Sequence, residues 1–170
     1  MRGNWARPAG FLGLFGVLQL ALSTAWSGGV AHFFIDIVTV RPAAWLARTL
    51  SGLPDIVADG SHLRSGGGTL NVLYGCEGTD VWMLVTAALL VAPIAPQRKL
   101  LGWVAGTLLV FALNQARVLV LFFCFCSHSR WFGPLHGTIA PLGVVLPVTL
   151  FFLAWTRREL SAAAAPVAKG

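Results

Sequence analysis

Charge is what this sequence has least of. Of its 170 residues, 11% are Asp, Glu, Lys or Arg, while 56% are hydrophobic. Soluble domains carry roughly 25% charged residues, so this chain has too little charge to coat a water-facing surface. Intrinsic disorder is excluded by the same figures, because it needs low hydrophobicity and many charges. Acidic residues are scarcer than basic ones, 6 against 12, which leaves a net charge of +6. Nucleic-acid binding would need those cations on one exposed face, but here most stand at the ends of apolar runs. Cysteine is also sparse. Its count of 3 is odd, so no closed disulfide framework is implied, and at least one thiol is free or paired with another molecule. No internal repeat and no second domain is evident.

What the chain does have is long apolar stretches. Four are near or above the ~17–25 residues that cross a bilayer as helix. They predict spans over about 11–34, 79–95, 100–122 and 135–155. Lipid offers no partner for unpaired backbone groups, so the spans must be helical. The expectation is an all-α integral membrane protein: one domain over 1–170, a bundle of about four transmembrane helices, and a small extracytoplasmic segment at 41–75 between the first and second. The Ala-rich end, 161–170, reads as a disordered tail. A rival reading of the start is a secretory signal, from Arg2 and Arg7, the apolar stretch 11–22 and Ser23-Thr24-Ala25. The apolar pattern resumes at 30–40, which favours an uncleaved helix.

Lys and Arg near span ends set orientation. With the N-terminus in the cytoplasm, the inner side holds Arg2, Arg7, Arg98, Lys99, Arg157, Arg158 and Lys169. The outer side holds only Arg41, Arg48, Arg64 and Arg130. Both termini are then cytoplasmic, in a multi-pass protein of the cytoplasmic (inner) membrane. In the outer segment, 42–52 predicts an amphipathic helix with Trp45, Leu46 and Leu50 toward the membrane. Two strands, 56–64 and 69–74, are expected around Ser65-Gly66-Gly67-Gly68.

Arg117 interrupts the third apolar run and cannot deprotonate. A central membrane Arg costs roughly 2.5–3.5 kcal/mol on insertion scales, and such residues usually face the protein interior. Snorkelling to the surface is the alternative. Asn114, three residues earlier on the same helical face, argues against it. Cys76 lies in Tyr74-Gly75-Cys76-Glu77-Gly78 at the start of the second span, where a helix N-terminus favours thiolate and Glu77 opposes it. An inert apolar Cys is the alternative there. His136 lies in Gly133-Pro134-Leu135-His136-Gly137 at the start of the last span, either as a neutral base or as an interfacial His without a chemical role. All three fall on the outer side, and helix packing at ~8–10 Å would bring them together. A Cys nucleophile, a His base and an Arg donor form a coherent set for acyl transfer.

Cys76-Glu77-Gly78 before a span, Asn114-Gln115-Ala116-Arg117 late in the next, and His136 opening the last resemble the exosortase/archaeosortase family. Members are multispanning, transpeptidase-like cysteine enzymes with the pattern Cys-x-Gly, Asn-x-x-Arg and a later His. The resemblance covers about 69–155. It implies Cys76 as nucleophile, Arg117 as transition-state stabiliser and His136 as proton shuttle, with Asn114, Glu77 and Asp80 in support and no cofactor. It also implies a thiol protease that cleaves C-terminal sorting signals of exported proteins at the outer membrane face. Its partners would be substrates ending in a motif, a transmembrane helix and a basic cluster, membrane lipid, and a surface acceptor. This chain departs from the pattern in carrying Glu77 where many members have Ser, and in having fewer spans. Neither a substrate motif nor an acceptor carries over.

Two other classes compete. A four-helix membrane thiol–disulfide oxidoreductase needs paired redox cysteines, and Cys76 has no Cys-x-x-Cys partner. A non-catalytic membrane assembly subunit is the other. Among the remaining polar residues, His32 and Asp36 share a helix face as a local pair. Asp80 is placed to bind Arg117 or to orient His136. Cys124, Cys126 and His128 offer soft ligands without an obvious fourth, so no metal is expected.

Overall fold

A computed structural model describes residues 5–26 and 29–164 of the chain. Four of its helices are long and apolar enough to cross a membrane: Ala6–Ala25, Gly29–Ser51, Pro96–Cys126 and Phe132–Ser161. The chain is an all-α membrane bundle carrying one small β-hairpin sheet.

The membership of that set differs from the expected spans. Helix α1 (Ala6–Ala25) stops well before residue 34, at Trp26, whose ψ of 67° is not helical. The apolar pattern runs on across Gly28-Gly29, and hydropathy does not register such a breaker. A second helix follows as three continuous pieces: α2 (Gly29–His32), a π-helical stretch (Phe33–Val40) and α3 (Arg41–Ser51). In the π stretch the hydrogen bonds reach five residues back. The Arg41 N–H donates to the Asp36 carbonyl, and the Thr39 hydroxyl donates to the Phe34 carbonyl at 2.8 Å. Gly52, at φ +70°, ends α3 in the left-handed conformation that only glycine takes without strain, and its N–H caps the Arg48 carbonyl. The amphipathic helix expected at 42–52 is thus joined to a longer helix. It buries Ala43, Ala44 and Ala47 and leaves Trp45 and Leu50 exposed, with Leu46 half-buried.

The hairpin sheet corrects a second expectation. Instead of two strands there are three, β1 (Val57–Asp59), β2 (His62–Ser65) and β3 (Gly68–Asn71), antiparallel in the order β1-β2-β3. The stretch read as one strand, 56–64, folds back at Gly60-Ser61, with Asp59 opposite His62 and Gly60 at φ +57°. A glycine first in a two-residue loop is the hairpin signal. Ile56, Leu63 and Val72 are buried with Val40, Ala43, Ala44, Ala47, Val118 and Phe122, so the sheet and α3 together cover the last turns of a later helix, α5 (Pro96–Cys126).

The expected span 79–95 is a helix of only 13 residues, α4 (Thr79–Val91). A four-residue connection joins it to α5 (Pro96–Cys126), where Pro96 sits in the first turn and loses no intrahelical bond. Short α6 (Phe132–Pro134), a second π-helical stretch (Leu135–Ile139) and α7 (Ala140–Ala164) complete the bundle. Helix α4 packs on α1, α5 and α7, and α5 packs along α7. Two indole bonds cross between α4 and α5: Trp82 Nε1 donates to Thr107 Oγ1 and Trp103 Nε1 to Thr86 Oγ1, each at 3.0 Å. Helix α7 continues to Ala164, past the expected start of the tail. The remainder of that tail, 165–170, lies outside the described residues, as does Arg2 of the signal-like start.

Candidate active site

The turn before α4 is shaped by two glycines with positive φ, Gly75 at +86° and Gly78 at +85°. Between them the Cys76 N–H donates to the Leu73 carbonyl at 2.9 Å. The Glu77 side chain turns inward and is 7% exposed, with Oε1 accepting the Thr79 hydroxyl at 2.6 Å. Gly78 rests against Asn114 of α5, where a Cβ would stand 3.0 Å from Asn114 Cγ.

One helical turn beyond Asn114, Arg117 reaches the same turn. Its Nη1 lies 3.5 Å from the Gly75 carbonyl oxygen and its Nη2 3.9 Å from Cys76 Sγ. Nε has no partner. The guanidinium therefore stays at the Cys76 turn, where one nitrogen holds backbone and another faces the sulfur.

His136 is not part of this contact. It lies exposed in the second π stretch, its ring stacked on Phe132 with centroids 5.7 Å apart and planes at 3°. Phe132 meets Phe125 edge-on, and Phe125 abuts Gly68 of the hairpin. Among the described residues His136 makes no hydrogen bond with Cys76 or Arg117. His136 and its stacking partner Phe132 are four residues apart in one helical segment, which five residues of irregular chain, 127–131, separate from α5.

Asp80 goes elsewhere too. Its Oδ1 accepts from Gln19 Nε2 at 2.9 Å, so it neither pairs with Arg117 nor orients His136. It lies on the side of α4 that packs on α1. Gln19 was missed in the sequence, though a lone amide inside the apolar stretch 11–22 was the available signal. The Tyr74 hydroxyl is raised above its ordinary phenol range, first by burial and then by the charges of Asp80 and Glu77.

Of the other polar residues, Asp36 is buried and takes a two-pronged contact from Arg41, Nε at 3.1 Å and Nη2 at 3.0 Å, with His32 Nδ1 at 3.3 Å. All three cysteines are free thiols, and Cys126 Sγ is 3.5 Å from Ser65 Oγ. Among the described residues no cluster of three His, Cys, Asp or Glu is placed to hold a metal. No family model, no curated protein and no solved structure matches this chain.

Proposed function

We propose that this protein is a membrane-embedded cysteine endopeptidase or transpeptidase that cleaves C-terminal sorting signals of exported proteins. The observation that carries the reading is the Arg117 guanidinium beside Cys76 Sγ. An arginine inside an apolar helix is costly unless the protein uses it, and a permanent cation at a thiol supplies the counter-charge that a thiolate and a developing oxyanion both need.

The chemistry follows from those groups. His136 takes the Cys76 proton, and Sγ attacks the carbonyl carbon of the scissile peptide bond. The electron pair moves to the carbonyl oxygen, held by Arg117. Collapse of that intermediate breaks the C–N bond, and the protonated His136 gives its proton to the leaving amine. The thioester on Cys76 is then resolved by water or by an amine. His136 must leave its stack on Phe132 to do this, and its exposure within a wide helical turn favours such movement. The distribution of Lys and Arg supports a position for this turn in the outer half of the cytoplasmic membrane.

The test compares the C termini of exported membrane-anchored proteins by mass spectrometry in cells making the wild-type chain or Cys76→Ala. Loss of processing of at least one protein in Cys76→Ala is expected. Identical C termini in both strains would overturn the cysteine mechanism.

A further inference from the structure

A groove of about 480 Å³ runs along the first turns of α1 and the last turns of α4 and α7. Helices α1 and α7 both pack on α4, which forms the floor with Leu84, Ala88 and Val91. Phe11 of α1 forms one wall, and Val148 and Phe152 of α7 the other. The two threonines on the α7 side are committed to their own helix. Thr149 donates to the Val145 carbonyl and Thr156 to the Phe152 carbonyl, each at 2.8 Å. Water needs two to four polar partners and does not fill a groove of this kind. Left empty, the lining side chains forgo contacts on one side. Both walls belong to helices apolar enough to span a membrane, so hydrocarbon chains are the neighbours within reach.

Charge at this end of the bundle is of one sign. Arg7 lines the groove and is exposed. Arg157 and Arg158, also exposed, directly follow Thr156. Glu159 is the one acidic residue nearby in sequence, and it pairs with Arg98. Lys99 Nζ donates to the Leu90 carbonyl. Among the described residues Arg7, Arg157 and Arg158 form no ion pair. An apolar groove that ends at an unneutralised guanidinium matches a molecule whose long apolar chain ends in an anion.

We propose that this groove holds one acyl chain of an anionic phospholipid, drawn from the leaflet at the basic end, with its phosphate against Arg7. Basic pockets between transmembrane helices take anionic headgroups in this way. No residue of α1 is buried, so the bound chain supplies packing that this helix lacks on its α7 side. A zwitterionic lipid fills the groove equally well but carries a compensating cation, so the selectivity resides in the headgroup. Such binding needs no chemistry at Cys76.

The test places the full-length protein in phosphatidylcholine nanodiscs. These are doped with phosphatidylglycerol or phosphatidylcholine that bears a diazirine on its acyl chain. After illumination, mass spectrometry locates the labelled peptides. The phosphatidylglycerol probe should label 84–93 and 148–160 about fivefold more than the phosphatidylcholine probe, the worth of one arginine at an anionic surface. The exposed side of α5, at Leu101 and Leu108, should take both probes equally. Arg7→Gln should bring the two probes level in the groove. Ala88→Phe and Thr149→Phe fill the groove from α4 and from α7, and each should cut groove labelling while α5 labelling holds. If α5 labelling also falls in them, the Arg7→Gln comparison decides alone. Equal groove labelling by the two probes in the wild type, or a preference that survives Arg7→Gln, overturns the headgroup assignment. Groove peptides left unlabelled while α5 is labelled overturn the acyl-chain site, as when a protein helix or a second copy sits there. Free oleate that suppresses labelling as well as unlabelled phosphatidylglycerol does overturns the choice of a phospholipid.

Discussion

Gly78 and Asn114 touch across the α4–α5 interface, and that contact docks the Cys76 turn onto the helix that carries Arg117. A Cβ at Gly78 would come within 3.2 Å of both Asn114 Cβ and Oδ1. With φ at +85°, any other residue would also be strained there.

Gly78→Ala is therefore expected to destabilise the protein by ~1–3 kcal/mol from backbone strain alone. Gly143→Ala in α7 is the control, since nothing lies within 4 Å of its added Cβ. It should be neutral or slightly stabilising, by up to ~1 kcal/mol, because alanine is the better helix former. Thermal unfolding in detergent reads both. A Gly78→Ala midpoint no lower than that of Gly143→Ala would show that the contact is dispensable.

Arg117→Lys keeps the charge but replaces a planar fork with a point charge. One nitrogen of the fork faces the Gly75 carbonyl and another faces Cys76 Sγ, and a lysine has only one to offer. Pulse-chase measurement of substrate processing should show a loss of ~10²–10³-fold, the usual size for removing one oxyanion donor. Full activity in the lysine variant would remove Arg117 from that role.

The Phe132–His136 stack separates two accounts of His136. If the ring must leave Phe132 to reach Cys76, Phe132→Ala should keep or raise the processing rate. His136→Gln should lower it by ~10²–10⁴-fold, the span typical of a general acid–base. Abolished processing in Phe132→Ala, at normal protein level, would mean that the stacked position is itself the working one.

The crossed indole bonds of α4 and α5 make a separate prediction about stability. Thr86→Val or Thr107→Val strips the acceptor from a half-buried Trp N–H. Each should cost ~0.5–2 kcal/mol, in line with interhelical hydrogen bonds in membranes. Because Trp82 and Trp103 are themselves 6.2 Å apart, the two substitutions should not add. Unfolding in a double-mutant cycle checks this, and strict additivity would mean that the two bonds act independently.

Legibility in the sequence tracked the range of the interaction. The charge deficit fixes the membrane class by itself, and Arg117, as the costliest residue, led directly to Cys76. The extent of α3 is a local pattern, and the expected 42–52 agrees with Arg41–Ser51 to one residue at each end. The break at Trp26 was hidden because Val30 to Val40 restores apolar character at once, and hydropathy sums do not register a breaker. The Gly60-Ser61 turn is a local hairpin signal that lies inside the stretch 56–64, expected as one strand. Gln19 with Asp80, 61 residues apart in sequence, depends on how segments dock, which spacing alone does not encode.

Helix α4 has one more consequence. Thirteen residues rise ~20 Å, against a hydrocarbon thickness of ~30 Å. Its Val91 end is held at a charged boundary, where Lys99 Nζ donates to the Leu90 carbonyl and Arg98 pairs with Glu159. With α4 along the bilayer normal, the Cys76 end would stop ~10 Å short of the opposite boundary. Irregular backbone is tolerated at such depth only inside protein, and Glu77, Gly78 and Thr79 are all buried. A peptide dissolved in water would search three dimensions and then have to sink to reach the sulfur. Under the proposed function, one tethered in the bilayer would search two and arrive already at the right height, so anchoring alone would sort substrates before any side chain is read.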